Sequence, residues 1–193
     1  MSAEAAGPTA NASLDALERR SLLRAAREAI AAQLAGRQAE LPLATGGLRG
    51  ARGAFVTLRR LSDDELRGCV GQMEPSEPLL DTVAAMAIAA ATRDGRFDPV
   101  TASELAALRI EISVLSPLVP IRPSDVEVGR HGLLLRYGDK RGVLLPQVPL
   151  EHGWDRETFL GHTCEKAGLP ADTWRRPDVE LSGFTATVFG EDD

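Results

Sequence analysis

An α+β fold, a mainly antiparallel sheet flanked by helices, is predicted by three features of this chain. Helical and strand periodicities mix without the regular strand-helix-strand repetition that builds parallel sheets. Runs with the period of two expected of strands recur at 110–114 and 184–189, and 55–58 is β-branched and aromatic. A further pair of runs, 133–137 and 143–148, flanks a glycine-bounded segment and reads as a hairpin. With 193 residues the chain holds one core, or one core with a smaller subdomain. Residues 1–12, rich in Ala, read as a disordered lead-in, and 13–193 as a single domain.

From Ser13 to Ala35, Leu23, Ala26, Ile30 and Leu34 recur at spacings of three and four, the stripe of an amphipathic helix, with Gly36 as its stop. Leu41 to Gly53, with Pro42 and four glycines, is expected to be a loop. Its Arg49 and Arg52 suggest a phosphate cradle, but such cradles run from a strand into a helix and this loop runs into a strand. Phe55 to Leu58 is the first strand, and Leu66 to Gly71 the second. Ser76 is placed to cap a helix with Pro78 in its first turn, continuing through the Ala-rich 80–92. Asp94-Gly95-Arg96-Phe97-Asp98-Pro99 makes a charged corner, and Arg96 and Leu105 stand where a calcium loop needs oxygen ligands. Thr101 and Glu104 form a capping box for a short helix ending near Leu108. Gly138 to Gly142 is expected as a five-residue hairpin loop, and Pro146 marks an edge or end of the strand after it. Asp155 caps a helix carrying Phe159, Leu160, Cys164 and Ala167, with Gly168 as its left-handed stop. Phe184 to Phe189 closes the chain as one strand.

Composition narrows the function classes. The net charge is −6 and no Lys/Arg block is long enough to track a phosphate backbone, which disfavours nucleic acid. No apolar run approaches the roughly 20 residues of a membrane helix, and the start of the chain lacks the pattern of a secretory signal. Two cysteines without C-x-x-C spacing point to reduced thiols in a cytoplasm.

The residues that could carry chemistry centre on Leu66-Arg67-Gly68-Cys69-Val70-Gly71. On a strand, Arg67 and Cys69 share one face, so the guanidinium could activate the thiol or equally point away. Cys69 is then a nucleophile or redox thiol, or a small buried hydrophobe. Gly68 and Gly71 permit close approach by a backbone or a ligand. Glu111 alternates with apolar residues on its strand and could move a proton, as could His131 at the start of the hairpin; the alternatives are a surface carboxylate and a loop residue. Asp94 and Arg96 read as a corner ion pair or as ligand contacts, and Gln147 sits beside the irregular backbone at Pro146. Cys164 falls in register with core positions, and His162 and Cys164 point about 200° apart on a helix, so His152, His162 and Cys164 make no metal site. No metal or other cofactor is expected.

Five motifs in order, Gly53-Ala54-Phe55-Val56-Thr57-Leu58, Leu66-Arg67-Gly68-Cys69-Val70-Gly71, Asp94-Gly95-Arg96-Phe97, Leu144-Leu145-Pro146-Gln147-Val148 and Cys164-Glu165-Lys166-Ala167-Gly168-Leu169, resemble the AMMECR-type domain family. Its hallmark is L-R-G-C-I-G, with Val70 here in place of the isoleucine. The likeness covers approximately Leu22 to Glu191 and is nearest to the prokaryotic branch called AmmeMemoRadiSam system protein A. It implies a larger portion built from both ends of the chain and a smaller one from the middle. It also implies a cytoplasmic protein associated with a Memo-like, dioxygenase-related protein and a radical S-adenosylmethionine enzyme. By position, the family's pocket residues map to Arg67, Gly68 and Cys69, with Asp94, Arg96 and Gln147. Two functions are thereby expected: an enzyme or enzyme subunit using Cys69, or a non-catalytic adaptor or ligand-binding module for those partners.

Overall fold

Asp15 opens the first helix. Its carboxylate accepts the N–H groups of Leu17 and Glu18, while the Glu18 carboxylate accepts the N–H of Asp15 at 3.0 Å, which satisfies donors that a helix start leaves open. This helix, α1 (Ala16–Leu34), buries Leu23, Ala26 and Ile30 of the predicted stripe, with Leu22 beside them, and leaves Leu34 half-buried at its end. The computed structural model describes residues 14–192, so the expected disordered stretch at 1–12 lies outside the described residues. The chain divides into two compact units, the first running to Val114 and resuming at Val188, the second formed by Leu115–Thr187.

In the first unit, β1 (Ala54–Arg60), β2 (Leu66–Gln72) and β3 (Leu108–Leu115) pair antiparallel in the order β2-β1-β3, and the last strand of the chain, β8 (Ala186–Gly190), joins beside β3. Helix α2 (Leu79–Thr92) lies against β1 and β2, and α1 packs on α2. Their shared core includes Leu22, Ile30, Leu79, Val83, Val56, Leu58, Ile110 and Ile112. Because α2 is rich in Ala, its backbone comes close to the sheet: a Cβ on Gly68 would stand 2.3 Å from the carbonyl oxygen of Ala90.

The second unit holds β4 (Val119–Pro120), β5 (Gly132–Tyr137), β6 (Lys140–Leu144) and β7 (Glu180–Phe184) in the order β4-β7-β5-β6, antiparallel throughout. The short α3 (Val148–Glu151) leads to α4 (Arg156–Lys166), which packs on β5 and β6 with Phe159, Leu160 and Cys164 inward. The same device recurs here, since a Cβ on Gly142 would meet the Thr163 carbonyl oxygen at 2.3 Å. Trp154 stacks with both His152 and His162, ring centroids 4.8 and 3.9 Å away.

The α+β class and its antiparallel sheets are those the pattern predicts; several boundaries are not. The hairpin loop is two residues, with left-handed Gly138 (φ 61°) in the turn and Tyr137 paired to Lys140, because Lys140, Arg141 and Gly142 belong to an edge strand. The final strand is two strands in different sheets, broken at Thr185, whose N–H is held by the Ser116 hydroxyl and whose carbonyl accepts from the Ser116 N–H. Pro78, not Ser76, occupies the cap position of α2; the Ser76 hydroxyl turns to Glu77. The Thr101–Glu104 box forms, but it introduces only a 3-10 turn at Leu105–Ala107.

Candidate functional site

β2 lies at the edge of its sheet. Alternation sends Gly68 toward α2 and sends Cys69 and Gly71 to the opposite face, while the register slips between the pairs Leu58–Gly68 and Arg59–Leu66 and makes Arg67 the extra residue of a bulge. Residues in register on neighbouring strands share a face, so pairing of Cys69 with Thr57 and of Thr57 with Glu111 sets a thiol, a hydroxyl and a carboxylate abreast on three strands. The Thr57 hydroxyl donates to the Cys69 sulfur at 3.3 Å. One pair along, Phe55 opposes Gly71 and its ring covers that glycine, 2.2 Å from where a Cβ would stand.

Cys69 turns both its backbone groups to the open edge, because N–H and C=O of one residue point the same way in an antiparallel ladder. A neighbouring strand would normally bond them. Here the Asp94 carboxylate accepts the Cys69 N–H at 2.8 Å, and the Arg96 Nη2 donates to the Cys69 carbonyl at 3.3 Å. Arg96 also grips Asp94 through Nε to Oδ1 at 2.9 Å and Nη2 to Oδ2 at 2.7 Å. With only 7% of its side chain exposed, Asp94 has its carboxyl held well below the ordinary carboxylate range, first by the Arg96 guanidinium and, against the effect of burial, by the Cys69 N–H. The corner thus acts as a one-residue stand-in for the missing strand.

Arg67 is fastened nearby. Its Nε and Nη2 donate to the Glu104 carboxylate at 3.1 and 3.4 Å and its Nη1 to the Asp98 carbonyl at 2.9 Å, leaving the side chain 12% exposed. The Thr101 backbone N–H and then Arg67 lower the pKa of Glu104. Both guanidiniums flank Phe97, with Arg67 6.0 Å and Arg96 5.5 Å from the ring centre. Of the two orientations open to Arg67, the structure takes the one directed at Glu104 and Asp98, and the cation expected beside the thiol is bound by a carboxylate instead. Arg67→Ala is therefore expected to lower stability by about 1–2 kcal/mol, read from urea unfolding, since it removes a largely buried side chain with its hydrogen bonds to Glu104 and the Asp98 carbonyl.

Cys69, Arg67, Gly68, Asp94, Arg96 and Glu111 all belong to the first unit; His131 and Gln147 belong to the second. His131 accepts the Glu127 N–H on Nδ1 at 3.0 Å, closing the turn before β5. The Gln147 carbonyl accepts N–H groups from Leu150 and Glu151 at the start of α3. Thr57, Phe55 and Glu104 were missed by sequence reasoning. Thr57 could have been found by pairing the two strands around the turn at 61–65; the link from Glu104 to Arg67 spans 37 residues and has no local signal.

A two-unit α+β protein whose cysteine-bearing edge strand is locked by an Asp-x-Arg corner is the class that fold and site define. The chain belongs to the AMMECR1 family, whose model matches residues 23–189. Protein MK0488 of Methanopyrus kandleri is 47% identical over 181 residues, covering 89% of this chain and 87% of that protein. Protein MJ0810 of Methanocaldococcus jannaschii is 43% identical over 176 residues, covering 88% of each. Among solved structures, an uncharacterized protein of Pyrococcus horikoshii, PH0010, superposes with a TM-score of 0.81 at 43% identity, covering 89% of this chain and 90% of that one. Among the described residues, no helix is long and apolar enough to cross a membrane.

Proposed function

We propose that this protein is a non-catalytic binding module of the cytoplasmic AmmeMemoRadiSam system, docking a Memo-like protein and a radical S-adenosylmethionine enzyme. The observation that carries this reading is the use of the motif's charges. Arg67 is held by Glu104 and Asp98, and Arg96 by Asp94, so both guanidiniums serve to hold the Cys69 strand in shape. A surface built in this way presents fixed geometry to a partner, as rigid recognition surfaces do. The partners themselves follow from the family resemblance. Co-purification of the tagged protein with both partners from one expression strain tests it: a stoichiometric complex is expected, and its absence at micromolar concentrations removes the adaptor reading.

A second reading, thiol chemistry at Cys69 with Glu111 as the proton-moving group, is favoured by the Thr57 hydrogen bond to the sulfur and by the position of Glu111 in the same row. Iodoacetamide alkylation followed by mass spectrometry separates the two. Cys69 is half-buried and Cys164 fully buried, with burial pushing the Cys164 thiol up in pKa. Cys164 is expected to stay unmodified in the folded protein. Under the binding-module reading, Arg67→Ala and Thr57→Val each leave the Cys69 rate within about twofold. A drop of about tenfold or more in Thr57→Val transfers the weight to the thiol.

A further inference from the structure

The core of the second unit is left open along one side. β4 stops at Pro120 and Ile121 adds one further bond, its N–H donating to the Leu181 carbonyl at 3.1 Å, before Pro123 turns the chain away, so β7 loses its neighbour beyond Leu181. Ile121, Leu181 and Trp174, which back onto the Phe159 and Leu160 cluster, remain only half-buried there. They floor a cavity of about 650 Å³ rimmed by Arg122, Arg175 and Arg176. That volume is in the range of small-molecule sites, and an apolar floor with a few polar groups at the mouth is their usual composition. The Arg175 guanidinium lies 4.2 Å from the centre of the Trp174 ring, which makes one side of the cavity both planar and cationic.

The rim arginines are available to a ligand. Arg122 contacts Asp125 through Nε, Arg175 contacts Glu157 through Nη2, and Arg176 contacts Asp178 through Nε and Nη2, so other guanidinium N–H groups remain on each. Every one of these ion pairs is solvent-exposed, with the Arg122 side chain at 81%, and exposed pairs yield easily to a better-placed anion. The one carboxylate in the lining, Glu180, stands opposite Arg136 in the β5–β7 register. We propose that this cavity binds a small organic anion, an apolar or aromatic body lying on Trp174, Ile121 and Leu181 with its carboxylate, phosphate or sulfonate held by Arg122 and Arg176. The proposal is independent of the Cys69 row, which lies in the other unit.

Two fluorescent probes of nearly the same body, anilinonaphthalene sulfonate and the uncharged phenylnaphthylamine, isolate the anionic contribution when titrated into the full chain. The sulfonate is expected to bind saturably and about tenfold or more tighter than the neutral probe, and R122A/R176A is expected to abolish that difference. Arg24→Ala, on α1 of the other unit, is expected to leave both titrations unchanged, and circular dichroism of each variant checks that the fold persists. Equal affinity for the two probes, a double variant that binds the sulfonate as the parent does, or no saturable binding overturns the proposal. Sulfonate binding that appears only as the chain associates with itself also overturns it, because the cavity would then be an interface between copies.

Discussion

Gly68→Ala is expected to lower the stability of the protein by about 3 kcal/mol or more, the upper range for overpacking a rigid contact. A Cβ at this position meets the Ala90 carbonyl oxygen at 2.3 Å, and the atom it strikes is helix backbone, so relief requires moving α2 off the sheet. Displacing α2 disturbs Leu79, Val83 and Ala87, which are buried in the main core. Urea unfolding by circular dichroism reads the effect, and Gly95→Ala supplies the contrast. Gly95 has nothing within 4 Å of its would-be Cβ and no left-handed backbone, so its substitution is expected to be neutral or stabilising by about 0.4–1 kcal/mol. Similar losses in the two variants would mean that the approach of α2 to β2 is not a rigid constraint.

Asp94→Ala ranks beside it, with an expected loss of about 2–3 kcal/mol, because it leaves the Cys69 N–H and the Arg96 guanidinium without their acceptor. Its pH dependence follows from the direction of the shift. The folded-state pKa of Asp94 lies below the unfolded value, so its stabilisation is complete above an unfolded pKa of about 3.9 and is lost as pH falls through the folded value. Urea midpoints measured from pH 6 downward should therefore converge for wild type and Asp94→Asn only in strong acid, and early convergence above about pH 4 would contradict the assignment. Removal of the carboxylate also opens the β2 edge, so Asp94→Ala is expected to self-associate, as light scattering would detect.

How much of this was legible in the sequence depends on the range of the interaction involved. α1 was readable from its spaced apolar face and terminal glycine, although its Asp15 cap was missed, and α4 from a capping acid as well, because Asp155, Phe159 and Gly168 all lie within or next to one element. The β6 boundary was misread because Lys140 and Arg141 suggest a solvated loop, whereas an edge strand carries such residues to discourage pairing with another chain. Thr185 gives no sign of the break it makes, since Phe-Thr-Ala-Thr-Val-Phe alternates without interruption and only the distant Ser116 holds it out of both sheets. At the site, the motifs around Cys69 and Asp94 were each visible. That one grips the backbone of the other was not, because no side-chain pattern reports where an edge strand aims its own N–H and C=O.

The clasp between Ser116 and Thr185 has a consequence for how the chain could be rebuilt. Their backbones meet at 2.8 Å while Glu191 N–H donates to the Ile110 carbonyl at 3.3 Å, so the segments entering and leaving the second unit run antiparallel and side by side. Topologically, residues 117–184 form a cassette inserted at the tip of what would otherwise be an ordinary hairpin of β3 and β8. Because the entropy cost of closing a loop rises with its length, a tight glycine-containing turn could bridge that point without an added closure cost. A separate chain spanning the cassette would likewise begin and end with its termini already in register.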